Sequence, residues 1–401
     1  MKLRYGLWAI FLTFSVAAFF LFFNNHQQII DLALVKEAVI ESERPIYNPD
    51  LDIEFQQSLT SPPAIIKGIY ATAWSAGSAK KLSYFIDLIN RTELNSIIID
   101  VKDYTGIVSY HNDIEDVNKY KASEARILKP NALIKKLHDN GIYVIARISV
   151  FQDFQLAQMR PDLAVHASST GEVWQDRKGQ TWMEAASEEV WDYNIAIAQD
   201  ALARGFDEIN FDYIRFPSDG DMNDIKYNFW NGQIPRSEIM KRFFAYLRNR
   251  LPTAKLSADL FGYTTLLNND LGIGQLIENA LPYFDAIAPM VYPSHYIKGH
   301  LGFDNPANHP YEVVKDSMAG AISKIEIYNA IAGTTTPLAL AKFRPWLQDF
   351  DLGADYNKEE VRAQIAGWYD AATNTPEFTN GWMMWNASNI YTADAFEAEN
   401  N

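Results

Sequence analysis

From residue 65 onward, short apolar runs alternate with longer stretches whose apolar residues recur every three or four positions. The apolar runs predict strands at 65–74, 96–103, 142–151, 208–217, 255–262, 286–293 and 381–388, with a less regular one ending near residue 350. The periodic stretches predict helices at 79–91, 131–140, 188–204, 237–250, 273–281, 311–329 and 358–373. Strands regularly separated by helices imply parallel pairing through crossover connections. Eight such strands predict an α/β fold, a (β/α)8 TIM barrel. A doubly wound open sheet is the main rival, but no G-x-G-x-x-G turn follows an early strand. The longest insertion, 152–187, follows the third strand and carries Trp174 and Trp182. In a barrel that places it on the active face.

The chain begins differently. Lys2 and Arg4 precede an uncharged apolar run at 6–23, about the minimum length that spans a bilayer. It predicts a signal-anchor (transmembrane) helix or a cleaved signal peptide over 1–23, with the basic end in the cytoplasm and the remainder outside. A linker, 24–64, follows, with Pro45, Pro49, Pro62 and Pro63 among polar residues and one short helix near 31–42. The barrel is expected over 65–395. The expected location is the cell envelope, anchored in the membrane, or secreted if the segment is cleaved.

Composition narrows the function. At 48% hydrophobic and 13% aromatic, the 401-residue chain can bury a large core. Its net charge of −15 argues against nucleic acid as a partner and leaves the N-terminal helix as the membrane contact. The same balance disfavours a strongly anionic polymer, although Lys102, Arg147, Arg215 and Arg344 would make a locally positive pocket. The absence of cysteine removes disulfides, thiolate metal sites and a cysteine nucleophile. Oligomeric state is left open.

Polar residues recur where strands should end. "SIIIDVKD" closes on Asp100, Lys102 and Asp103, Arg147 lies within "IYVIARISVF", and "GFDEINFDYIRFPSDG" brings Asp212 and Arg215. Asp259 sits in "LSADLFG", Tyr292 and His295 in "PMVYPSHY", and Trp385 and Asn386 in "GWMMWNAS". Singly, a charged residue at a strand end is more simply structural. Together, at the C-terminal ends of barrel strands, they predict a functional pocket. Histidines are scattered and no G-x-S-x-G or phosphate-binding loop is present, so no metal or cofactor is expected. Facing carboxylates among aromatic rings suit glycoside hydrolysis, in which one carboxyl attacks and the other moves the proton. Trp174 and Trp182 lean toward ligand contact, and Trp385 is equally core or platform. A non-catalytic carbohydrate-binding barrel and a metal-assisted deacetylase or lyase remain as alternatives.

Seven blocks in order, "KGIYATAWSAG", "TELNSIIIDVKDYTG", "FDEINFDYIRFP", "SADLFGYTT", "DAIAPMVYPSHY", "FRPWLQDF" and "GWMMWNAS", resemble the glycoside hydrolases catalogued as DUF4015. The resemblance implies a TIM-barrel hydrolase distantly similar to α-amylase-like enzymes, acting on a poly- or oligosaccharide. It implies Asp212 as nucleophile, kept ionised by Arg215, and Asp259 as acid/base, with Asp100 or Asp103 as substitutes and His295 as an aid to proton transfer. Substrate contacts are expected from Asp100, Lys102, Asp103, Arg147, Trp182, Arg215, Tyr292, His295, Arg344, Trp346, Trp385 and Asn386. Glu184-Ala185 departs from the Asn-Pro or Asp-Pro often found there in related barrels.

Overall fold

The second strand, Ser96–Lys102, is buried at every position, as a strand covered on both faces must be. Ile97, Ile99 and Val101 join the large apolar layer beneath the helices. Ile98 joins a smaller cluster with Tyr70, Ile145, Tyr292 and Trp346. Alternation along the strand thus feeds two separate cores, and the smaller one fills the barrel interior.

The computed structural model describes residues 52–332 and 339–398. The apolar run 6–23 and the linker up to residue 51 lie outside the described residues. Among those described, no helix is long and apolar enough to cross a membrane. The barrel strands are β1 (Ile66–Ala71), β2 (Ser96–Lys102), β3 (Tyr143–Ser149), β4 (Glu208–Asp212), β5 (Leu256–Phe261), β6 (Ala286–Met290), β7 in two pieces (Lys342–Phe343 and Trp346–Gln348) and β8 (Gly381–Trp385). They pair in parallel in chain order. β8 returns to β1 from Ile66↔Gly381 to Ile69↔Met384, and Met290↔Trp346 joins β6 to the second piece of β7. The sheet therefore closes into the expected eight-stranded barrel.

The helices that return the chain from one strand to the next include α1 (Ala79–Asn90), α2 (Pro130–His138), α3 (Glu188–Arg204), α4 (Arg236–Arg250), α5 (Ile277–Ala280), α6 (Pro310–Ala332) and α7 (Lys358–Ala371). Local chemistry sets their ends. Asn357 and Glu360 form a reciprocal capping box at the start of α7, a feature that satisfies two otherwise orphaned N–H groups. Gly205 ends α3 with φ 105°, where a Cβ would also meet the Gln56 carbonyl oxygen at 2.8 Å.

Several strands stop sooner than their apolar runs. β1 ends at Ala71 because Thr72 caps the short helix Ala73–Gly77, its hydroxyl accepting from Ser75 N at 3.1 Å. β4 ends at Asp212 because Tyr213 takes a left-handed backbone, φ 51°. β7 breaks at Arg344-Pro345, where proline supplies no N–H to the ladder. The early stops of β1 and β4 put Thr72 and the residues after Asp212 on the C-terminal rim.

Candidate active site

Asp100 on β2 continues the inward phase of Ile98, and Arg147 on β3 that of Tyr143 and Ile145. The ladder sets Asp100 beside Arg147, and Arg147 beside Asn210, two residues before Asp212. Arg147 is long enough to bridge that offset. Its Nη1 donates to Asp100 Oδ1 at 2.6 Å. Its Nε donates to Asp212 Oδ2 at 3.2 Å, and its Nη2 donates to the same oxygen. Asp212 Oδ1 accepts from the Tyr213 backbone N–H at 2.5 Å. On β5, Asp259 Oδ2 lies 3.8 Å from Arg147 Nε, and its Oδ1 accepts from Asn210 Nδ2 and Trp346 Nε1, each at 2.8 Å. One guanidinium thus organises three carboxylates.

Burial in this cluster raises two of the carboxyl groups. The Asp259 carboxyl is pushed up to about 8, first by burial and then by the Asp212 charge, against the pull of Arg147. Burial also raises Asp100, again opposed by Arg147. Burial works against the Arg147 cation, but Asp100 and Asp212 overcome it and hold the guanidinium above its ordinary value. A carboxyl that keeps its proton up to about pH 8 is equipped to act as a proton donor.

An aromatic wall stands beside them. Tyr70 and Trp385 stack with centroids 3.9 Å apart, and the Arg147 guanidinium lies 5.1 Å from the Trp385 ring. Trp346 meets Trp385 edge-on at 5.5 Å. Trp385 is partly exposed whereas Trp346 is buried, so Trp385 is the ring that can meet a sugar face. Tyr292 packs against Phe350 at 5.7 Å and His295 at 5.3 Å. His295 keeps an exposed edge at the rim, but Tyr292 and Phe350 pack on its ring, and this local loss of solvent, followed by the Lys178 charge, lowers its pKa.

The structure brings together Asp100, Arg147, Asp212, Asp259, Tyr292, Trp346 and Trp385, with His295 at the rim. Other candidates are placed elsewhere. A register shift between Asp100 and Lys102 turns Lys102 out of the interior phase; its amine is fully buried on Asp153, 2.5 Å away. Arg344 is sealed at the N-terminal end of the barrel interior, paired with Glu208 at the start of β4. Asp103 stands at the rim but is held by Arg126 at 2.5 Å and by Thr105 N at 3.0 Å. Asn386 spends its amide on the Asp349 and Ile390 carbonyls, and its oxygen accepts from Ser388 N. These contacts shape a turn and use both of its amide hydrogens.

Arg215 does not hold Asp212; Arg147 does. The turn at Tyr213 carries Arg215 to Trp182 and Phe261, with ring centroids 4.5 and 4.6 Å from its guanidinium. Trp182 backs that arginine and is buried. Trp174 is buried too, its indole donating to the Asp221 carbonyl at 3.2 Å. The insertion's tryptophans therefore build the loop. Glu184 is another loop brace: its carboxylate accepts from Asn228 N and from Phe229 N, the latter at 2.8 Å. The antiparallel pair His166–Ala167 and Ile225–Lys226 ties the same two loops. Sequence reasoning missed Tyr70, whose hydroxyl donates to Asp100, and Tyr213. Tyr70 was detectable as an inward-phase residue near the end of β1; nothing marks the Tyr213 backbone.

Among the described residues, no group of three or more His, Asp or Glu side chains is arranged to hold a metal ion.

A closed parallel barrel with aspartates at the C-terminal ends of β4 and β5, beside an aromatic wall, defines a glycoside-hydrolase-like protein. The profile of DUF4015, described as "Putative glycosyl hydrolase domain", matches residues 68–391, and the chain belongs to this family. The glycoside hydrolase domain of PgaB (BpsB) from Bordetella bronchiseptica shares the fold, at 13% identity and a TM-score of 0.57, over 82% of this chain and 95% of that one. A hypothetical protein from Ruminiclostridium thermocellum is 36% identical, over 51% of this chain and 98% of that one, with a TM-score of 0.45. The α-galactosidase TtGalA from Thermus thermophilus matches at 14% identity, over 84% of this chain and 60% of that one, with a TM-score of 0.48. No curated protein matches the chain.

Proposed function

We propose that the protein is a retaining glycoside hydrolase acting on a poly- or oligosaccharide. The observation that carries this reading is the shared contact with Arg147 Nε, 3.2 Å from Asp212 Oδ2 and 3.8 Å from Asp259 Oδ2. Their total, 7.0 Å, is the widest separation those two oxygens can have. Retaining pairs stand about 5–5.5 Å apart and inverting pairs roughly 6.5–9.5 Å, so the bound accommodates the retaining spacing and overlaps only the narrow end of the inverting range.

In this mechanism Asp212 attacks the anomeric carbon while Asp259 gives its proton to the departing glycosidic oxygen. The Asp259 carboxylate then takes a proton from water, and the hydroxide oxygen displaces Asp212 from the sugar. Both groups return to their starting state. Trp385 stacks on the sugar, and Tyr292 and His295 reach its hydroxyls. The apolar run behind Lys2 and Arg4 supports an anchored or secreted enzyme working on cell-envelope glycan.

The test is a product assay on a broad glycan panel with the full-length chain and Asp212→Asn, with and without chelator, reading the product anomer by NMR. Cleavage by the parent alone, unchanged by chelator and giving the retained anomer first, supports the reading. An inverted first product would remove the nucleophile role. Loss of activity in chelator would move the protein to metal-assisted chemistry. Glycan retention without product, equal in parent and variant, would make it a binding barrel.

A further inference from the structure

Of the cations expected to make the pocket positive, three are already neutralised. Lys102 is paired with Asp153, Arg147 with Asp100 and Asp212, and Arg344 with Glu208. Arg215 is the fourth. It is 8% exposed, yet among the described residues it has no carboxylate within ion-pair distance. The remaining buried arginine, Arg204, has Asp200 at 2.7 Å, so Arg215 stands apart from every buried arginine described.

Its hydrogen bonds are also incomplete. Nη1 donates to the Phe216 carbonyl at 3.1 Å and to Ser218 Oγ at 3.0 Å. Nε and Nη2 have no acceptor among the described residues and, unlike Nε of Arg344, are not enclosed. Trp182, Phe261 and Tyr213 hold the guanidinium with centroids 4.5, 4.6 and 5.5 Å away. Aromatic faces recover only part of the cost of burying a cation. Burial accordingly holds the Arg215 pKa down to about 10, with Tyr213 and Asp212 opposing.

We propose that Arg215 binds a carboxylate carried by the glycan, which makes the substrate a uronic-acid-type acidic saccharide. The inference rests on the carbohydrate reading above. Nε and Nη2 form the side of the guanidinium that grips two oxygens at once. Asp212, Asp176 and Asp219 all act on this arginine. In that negative surround a singly charged carboxylate costs less to admit than a doubly charged phosphate. Tyr213, the neighbour of Asp212, has its ring 5.5 Å from the guanidinium, and the Asp212 charge acts on Arg215, so a saccharide seated at Asp212 lies within electrostatic reach of this arginine.

The test measures binding by calorimetry with the full-length chain. The probes are uronic-acid oligosaccharides of several linkages, each paired with its carboxyl-reduced form, together with sulfated neutral oligosaccharides. The parent should bind an acidic member about 10-fold to 100-fold more tightly than its reduced partner, the range of a charge-assisted hydrogen-bonded contact. Arg215→Gln should erase that preference, and Arg215→Lys, which keeps the charge and loses the fork, should retain part of it. Equal affinity of the parent for both forms overturns the proposal, as does a preference that persists in Arg215→Gln or a stronger preference for sulfate. Binding of acidic sugars without any cleavage would leave this subsite standing and remove the hydrolase. Failure to bind any saccharide would overturn the carbohydrate reading beneath both.

Discussion

Replacing Asp259 with Asn should stabilise the barrel at neutral pH while abolishing turnover. Asn offers an oxygen to the same donors, Asn210 Nδ2 and Trp346 Nε1, each 2.8 Å away, and has nearly the same shape. What it removes is a carboxyl lifted to about 8, first by burial and then by the Asp212 charge. In the unfolded chain the group titrates near about 3.9. Between these values the folded protein holds a proton that the unfolded chain releases. The resulting stabilisation is complete below about pH 4 and is lost as pH climbs through about 8. At about 1.4 kcal/mol per unit, the three units to pH 7 amount to about 4 kcal/mol. Relaxation and water entry around a buried ion reduce such figures, so about 2–4 kcal/mol is the expected gain. Urea unfolding of the full-length parent and variant at half-unit steps from pH 4 to 8 would read it. The stability gap should widen steadily with pH. Parallel curves would refute the claim that Asp259 is a high-affinity proton site.

Two further perturbations bear on the same cluster. Arg147→Met leaves Asp100 and Asp212 without their shared cation and should cost about 3–5 kcal/mol; adding Asp100→Asn should return part of it in thermal melts, and no return would deny the shared pairing. At Tyr213, whose φ is 51°, Gly should be more stable than Ala by about 1–2 kcal/mol in chemical denaturation, because only Gly takes that backbone without a Cβ clash. Equal stabilities would mean that the turn stores no strain.

The strand and helix pattern was legible because burial imposes it residue by residue. β2 needs inward and outward apolar positions, and "SIIIDV" supplies them. Asp100, Asp212 and Asp259 were legible for a related reason, as charges standing where strands should end. Partner choice was not. Arg215 is near Asp212 along the chain, while Arg147 is 65 residues away and takes the contact. That outcome depends on strand register and on one left-handed turn, neither of which has a local signature here. Lys102 misled because a single register shift reverses the face of everything beyond it. The tryptophans misled because a polar loop of this length needs its own core, and Trp174 and Trp182 provide it. Arg344 was expected as a pocket cation, but β7 restarts beyond Pro345, and the arginine's side chain pairs with Glu208 at the opposite end of the interior.

The break in β7 has a consequence for how the cylinder holds its shape. Its closing edge is stitched in two places, Ala286↔Lys342 with Ile287↔Phe343, and then Met290↔Trp346 beyond the proline. The upper stitch belongs to the same Trp346 whose indole steadies Asp259 at 2.8 Å. Mechanical integrity and proton affinity therefore meet at one residue, its backbone in the ladder and its indole on Asp259. A fluctuation of the upper stitch that carries Trp346 with it withdraws a donor from Asp259, so breathing of the seam would be felt as a flicker in acidity before strand separation spreads further round the wall.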